Sequence, residues 1–300
     1  MKKIFNKINN LWLNFRKWSD VNILGYIIGA IVKLTLIIAF AVLLYLTFES
    51  IWPNNEDSSL SDSSNEQNDC NVIGINLHGE LKTYLPNHAE NDSFFDYDSV
   101  SSEDITGKIK LANEDSNIKA IIVEVDSPGG SIVGGEEIDT AIKNSEKPVI
   151  ALIRDLGASA SLWAISSADR IYASENSTIG SIGVTGSFMS NAKKNEKDGI
   201  TYEALSSGKF KDSGSPDKEL TAEERALILR DINLAFNNFV KAISLNRNID
   251  IEKVKDNADG STFLGTKAKE LGLIDEIGGL PEVEQYLEET TGEKPDICWQ

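Results

Sequence analysis

Apolar and polar positions divide the chain into two regimes. From position 21 to 48 the sequence is almost continuously apolar, with Lys33 as its one charged residue. A helix of this length reaches roughly 42 Å at about 1.5 Å per residue, more than the ~30 Å hydrocarbon core of a bilayer. A transmembrane signal anchor over 21–48 is therefore predicted. Two registers fit. Either the helix starts near Tyr26 and Lys33 reaches back to the headgroups, or Leu34 to Trp52 spans and the preceding stretch lies in the interface. A cleaved signal peptide is the competing reading. Glu49-Ser50-Ile51-Trp52-Pro53 lacks the small-residue cleavage pattern it requires.

Residues 49–70 are rich in Ser, Asn, Asp and Glu without apolar periodicity, and predict a flexible acidic linker. Beyond them, over 71–300, apolar residues fall into short runs. Val72 to Leu77 reads as a strand, followed by a polar loop to about Ser99. Glu103 to Ala112 has helical spacing, and Ile118 to Val125 is apolar enough for a strand buried on both faces. Ser127-Pro128-Gly129-Gly130-Ser131 is a glycine turn, and a helix is expected over Glu136 to Asn144. Val149 to Ile153 is a second buried strand, Gly157 to Ser167 a small-residue helix, and Arg170 to Ala173 a short strand. Thr221 and Glu224 form a capping box opening a long helix to about Asn246. After a turn at Asp259-Gly260, helices are expected over Thr266 to Leu271 and Pro281 to Glu289. Strands alternating with helices predict one α/β domain with a mostly parallel sheet.

Charge orients this arrangement. Lys2, Lys3, Lys7, Arg16 and Lys17 precede the apolar stretch, opposed by Asp20, which sets residues 1–20 in the cytoplasm. The first 49 residues hold six basic and two acidic side chains, leaving 23 basic and 45 acidic, net −22, for the exported part. A nucleic-acid partner needs a basic stripe, and this part has none. Two histidines and two cysteines are too few for a zinc cage, and no G-x-G-x-x-G follows a strand, so neither metal nor cofactor is expected. Outside the membrane a disulfide is permitted. Cys70 opens the domain and Cys298 nearly closes it, so either a Cys70–Cys298 bridge or two idle thiols fits.

Two small-residue turns follow two buried strands, at Ser127–Ser131 and at Gly157-Ala158-Ser159-Ala160-Ser161. Ligands of open α/β sheets sit at the carboxyl ends of parallel strands. Ser159 at a helix start would lie beside free N–H groups able to hold an oxyanion. A serine nucleophile needs a base. His78 and His88 belong to other segments and read as surface residues, whereas Ser206 to Asp212 offers Lys209 and Lys211 in one loop.

Together these segments resemble the signal peptide peptidase A family of membrane-anchored serine proteases. The matching blocks are Val125 to Ser131, Ala158-Ser159, Ser167 to Ile171, Ile179 to Val184, Ser207 to Asp212, Leu220 to Arg225, Ala258 to Gly260 and Leu271 to Gly278. The resemblance implies Ser159 as nucleophile and Lys211 as general base, with Ser181 orienting the lysine amine. It further implies Gly130 and Ala160 as backbone oxyanion donors. It also implies a crotonase- or Clp-protease-like superhelical fold, a dome-shaped homo-oligomer and apolar, signal-peptide-like substrates at the outer face of the cell membrane. One departure is Ala160-Ser161 where the family usually has two glycines; the bulkier Ser161 is expected to narrow or reshape the pocket. Two rivals remain: a crotonase-type acyl-CoA enzyme, which export disfavours, and a catalytically inactive scaffold that binds apolar peptides or membrane proteins.

Overall fold

The computed structural model describes residues 13–14, 27–39, 70–85 and 99–300. The chain divides into two units, Met1–Gln67 and Asn68–Gln300. In the first, residues 27–39 are helical. Among the described residues no helix is long and apolar enough to cross a membrane. The remainder of the predicted 21–48 span, most of the 49–70 linker, and His88 lie outside the described residues.

The second unit is an α/β domain. Its sheet follows the order β2 (Ser99–Ser101), β1 (Val72–Lys82), β3 (Ala120–Gly130), β4 (Val149–Ala158), β5 (Arg170–Ala173), β8 (Glu276–Ile277). Every pairing along this path is parallel. β9 (Ile297–Trp299) lies parallel to β1, and β6 (Thr178–Gly180) parallel to the end of β4. β7 (Thr262–Leu264) is antiparallel to β6. Helices α1 (Ser102–Glu114), α2 (Ile132–Lys143), α3 (Ala160–Ile165), α4 (Ala192–Lys197), α5 (Ala222–Arg247), α6 (Ile251–Asp256), α7 (Gly265–Glu270) and α8 (Leu280–Thr291) complete it.

The period-two alternation of strands explains why the first halves of β3 and β4 are apolar on both faces, over Ala120–Val123 and Val149–Ile153. Ile121, Val123, Ala151 and Ile153 join a core with Ile105, Ile138, Leu162 and Phe239. Their neighbours Ile122, Ile150 and Leu152 join a second core with Val283 and Leu287 of α8. Each of these Val, Leu, Ile and Phe side chains contributes roughly 1.5–3 kcal/mol on burial, so these strands anchor the domain. Cys70 and Cys298 are disulfide-bonded, with Cα atoms 5.8 Å apart. The bridge ties β9 to the start of β1, where Ile73 faces Cys298.

Several boundaries differ from those predicted, each for a local reason. β1 runs past Leu77 to Lys82 because Gly79, at φ 76, absorbs a bulge against β3 and pairing resumes at Glu80. α2 begins at Ile132, before Glu136: Ser131 caps it by accepting the Gly134 N–H at 3.1 Å. Gly134-Gly135 is a poor helix signal, yet a Cβ at Gly135 would lie 2.7 Å from the Ala160 carbonyl oxygen. Close approach of α2 to α3 requires that glycine. The small-residue helix expected over Gly157 to Ser167 contracts to α3, because Gly157 and Ala158 extend β4 to pair with β6.

Candidate active site

Ser159 occupies the single position between β4 and α3, with φ 55 and ψ −127. A non-glycine residue there is strained, and surrounding bonds must hold it. Its N–H donates to the Gly180 carbonyl at 2.8 Å, and its own carbonyl accepts from the Trp163 N–H at 3.2 Å. Its hydroxyl makes no capping bond to α3. The glycine turn packs directly against it: a Cβ on Gly129, at φ 92, would lie 2.9 Å from the Ser159 Cβ and 2.7 Å from the Ala160 nitrogen. Only glycine fits.

Ser159 opens onto a cavity of about 610 Å³ that Gly130 and Ser181 also line. Ser181 is a second strained serine, at φ 51, whose N–H donates to the Ser261 carbonyl at 2.8 Å. Apolar wall is supplied by Ile132, Val184, Ile232 and Phe236. Ala160 is buried as the first residue of α3, where helix geometry leaves its N–H without an intrahelical acceptor. Ser161 does not narrow this cavity. It is fully buried, and its hydroxyl shares its one proton between the Ser127 and Ala158 carbonyls, at 2.9 and 2.8 Å.

Lys211 is not part of the cavity wall. It is exposed, within a turn where its N–H donates to the Gly208 carbonyl at 3.0 Å. Its neighbours are tied down: Lys209 pairs with Glu223 at 2.7 Å, and Asp212 accepts from the Tyr202 hydroxyl at 2.6 Å. Lys218 bridges Asp212 at 3.5 Å and Glu224 at 2.5 Å, anchoring the Lys211 turn to the start of α5. There Thr221 and Glu224 complete both halves of the capping box. His78 lies 3.2 Å from Glu124, which also pairs with Arg154 at 2.8 Å. Thus Gly130, Ser159 and Ser181 converge with Ala160 adjacent, while Lys211 stands apart. Among the described residues no three His, Cys, Asp or Glu side chains form a metal cage.

Glu224 gives a pH signature for this anchor. The Lys218 ammonium, then the Thr221 N–H, pull its carboxyl down to about 2. A lowered folded-state pKa means that its stabilisation is complete above the unfolded value near 4.5 and disappears as pH falls through about 2. Thermal unfolding of wild type and Glu224→Gln should differ by a constant amount above about pH 5 and converge toward pH 2. Parallel curves down to pH 2 would refute the assignment.

Of the residues lining the cavity, only Gly130, Ser159 and Ser181 carried a functional reading in the sequence. Ile232 and Phe236 are spaced i, i+4 on α5, a signal shared by any buried helix face. Asp259 was legible as part of a turn and, within Ala258 to Gly260, as part of a segment carrying the family resemblance, with no role of its own.

Comparison with known proteins follows the same segments. The profile of peptidase family S49 matches residues 141–293. A Synechocystis sp. protein named as a candidate protease is 35% identical over 185 residues, covering 61% of this chain and 67% of its own. An Enterococcus faecium protein named as a candidate signal peptide peptidase SppA is 33% identical, covering 62% and 55%. The chloroplastic serine protease SPPA of Arabidopsis thaliana is 32% identical, covering 61% and 27%. Among solved structures, a ClpP1 mutant from Listeria monocytogenes aligns at 16% identity and TM-score 0.46, covering 69% of this chain and 91% of that one.

Proposed function

The chain belongs to peptidase family S49, a family of serine-type proteases, and from that premise we propose that it is a membrane-anchored endopeptidase using a Ser159–Lys211 dyad. The observation carrying this reading is Ser159 itself: a strained serine at a strand–helix junction, uncapped, beside a glycine-only turn and facing a cavity with apolar walls. Strain of this kind is retained where it serves a site.

In the proposed reaction the neutral Lys211 amine takes the Ser159 proton, and the resulting alkoxide attacks the scissile carbonyl. The Gly130 and Ala160 N–H groups hold the oxyanion, and Ser181 orients the amine. The Lys211 ammonium then protonates the leaving amine, and water repeats the sequence on the acyl-enzyme. An ordinary lysine, near 10.4, is almost wholly protonated at neutral pH, so a base needs surroundings that favour its neutral form. Because Lys211 stands outside the cavity of its own chain, the reading assigns it to the site of a neighbouring copy in a dome-shaped homo-oligomer. Ile132, Val184, Ile232 and Phe236 suit apolar substrate side chains, as in signal-peptide remnants.

The reading sets residues 1–20 in the cytoplasm, 21–48 in the membrane and the peptidase domain outside. A membrane-impermeant serine-directed acylating probe tests activity and topology together. Applied to intact cells stripped of any outer barrier, it should label Ser159, located by peptide mass. Labelling only after lysis would reverse the topology. No labelling of the assembled protein under either condition would favour the inactive scaffold.

A further inference from the structure

Asp259 is the one charged residue among those lining the Ser159 cavity. Its Oδ1 accepts the Ser261 N–H at 2.8 Å, and the Ser261 carbonyl in turn accepts the Ser181 N–H at 2.8 Å. Two hydrogen bonds therefore connect this carboxylate to the strained serine. The Ser261 hydroxyl, then its N–H, hold the Asp259 carboxyl below the usual range, so it is ionised at neutral pH. Among the described residues it has no cationic partner. A lone carboxylate facing a reaction cavity attracts a cation.

The complementary cation is on the same chain but elsewhere. Of three lysines between residues 207 and 220, Lys209 pairs with Glu223, and Lys218 with Asp212 and Glu224. Lys211 has no ionic partner among the described residues and is exposed. Asp212, its neighbour, is already taken up by Tyr202 and Lys218. A cavity with one unpaired carboxylate and a loop with one unpaired lysine, separate within one chain, fit each other across two copies.

We propose that Asp259 is a positioning residue that receives the Lys211 amine of a neighbouring copy beside Ser181, completing the dyad as a triad. The inference rests on the Ser–Lys reading above. When the Ser159 hydroxyl proton passes to the amine, the new ammonium forms next to a fixed carboxylate that stays ionised throughout. The charge created in the transition state is thereby stabilised, the role a third group plays in orienting any catalytic base. The same attraction works against the surroundings that favour the neutral amine, and so raises the pH at which the free amine becomes available.

The test is the pH dependence of kcat/KM for an apolar peptide, using the full chain in detergent. Asn keeps the side-chain oxygen that closes the turn and removes only the charge. Asp259→Asn should shift the acidic limb toward lower pH by about one unit, and Asp259→Glu should restore it. Purely structural damage would lower kcat and leave the limb in place. Should Asp259→Asn fail to assemble, Asp259→Ser, which also retains a turn-closing oxygen, provides the same readout. An acidic limb identical to wild type in the uncharged variant overturns the role of Asp259 and leaves the dyad standing. A wild type that hydrolyses no peptide and takes no acyl label at Ser159 removes the underlying reading instead.

Discussion

Ser159→Ala is expected to abolish hydrolysis of an unstructured apolar peptide, with the fold and assembly retained. Loss of a nucleophile costs far more than loss of a binding contact, so a fall of about 10³-fold or more is expected in kcat. Alanine at this position still needs φ near 55, as serine does, so the mutation removes an oxygen without changing the backbone demand. The Ser159 N–H keeps its bond to Gly180, because that bond belongs to the main chain. Ser161→Ala is the matched control. Ser161 is equally close in sequence, but its hydroxyl is spent on the Ser127 and Ala158 carbonyls. Losing it should cost stability on the order of 1 kcal/mol and leave most of the activity. Differential scanning of both variants, alongside initial rates, separates the two effects. An inactive Ser161→Ala with an active Ser159→Ala would move the nucleophile to Ser161.

The contrast between these two serines marks how far the sequence could be read. Buried strands around Val123 and Ala151 were legible because both faces of a parallel sheet are covered and the runs are largely apolar. The long helix from Thr221 was legible because a capping box is a local chemical pattern, and both its bonds are present. Ser161 was misread as a pocket residue, since its direction depends on where α3 begins, and that start moved by three residues when β4 claimed Gly157 and Ala158. β6, β7 and β9 are three-residue strands, too short for any period to register. β6 nevertheless supplies the Gly180 carbonyl that holds Ser159. The strain at Ser159 and Ser181 has no signature in composition, because serine is not a residue that left-handed backbone selects. Only a resemblance joined these two serines to Lys211, and within one chain Lys211 remains outside their cavity.

Separation of Lys211 from Ser159 yields the second large effect. Lys211→Arg and Lys211→Ala should both be nearly inactive, the first because a guanidinium stays charged and cannot accept the hydroxyl proton. Lys209→Ala is the neighbouring comparison. Its ammonium is held by Glu223 and stacked near the Phe210 ring, so its loss should alter binding or assembly and leave the chemistry. Two inactive proteins then provide the decisive mixture. A Ser159→Ala subunit retains Lys211, and a Lys211→Ala subunit retains Ser159. If each site takes its serine from one copy and its lysine from the next, an equal random mixture places both intact residues at about one quarter of head-to-tail interfaces. Activity should recover to about that fraction of wild type once exchange is complete, and no recovery is expected from either variant alone. The measurement requires verified mixed oligomers, obtained by co-expression with two affinity tags and sequential purification. Activity absent from such mixtures would put the lysine and serine in one chain, and would demand a movement of the 207–214 turn that the single-chain structure does not contain.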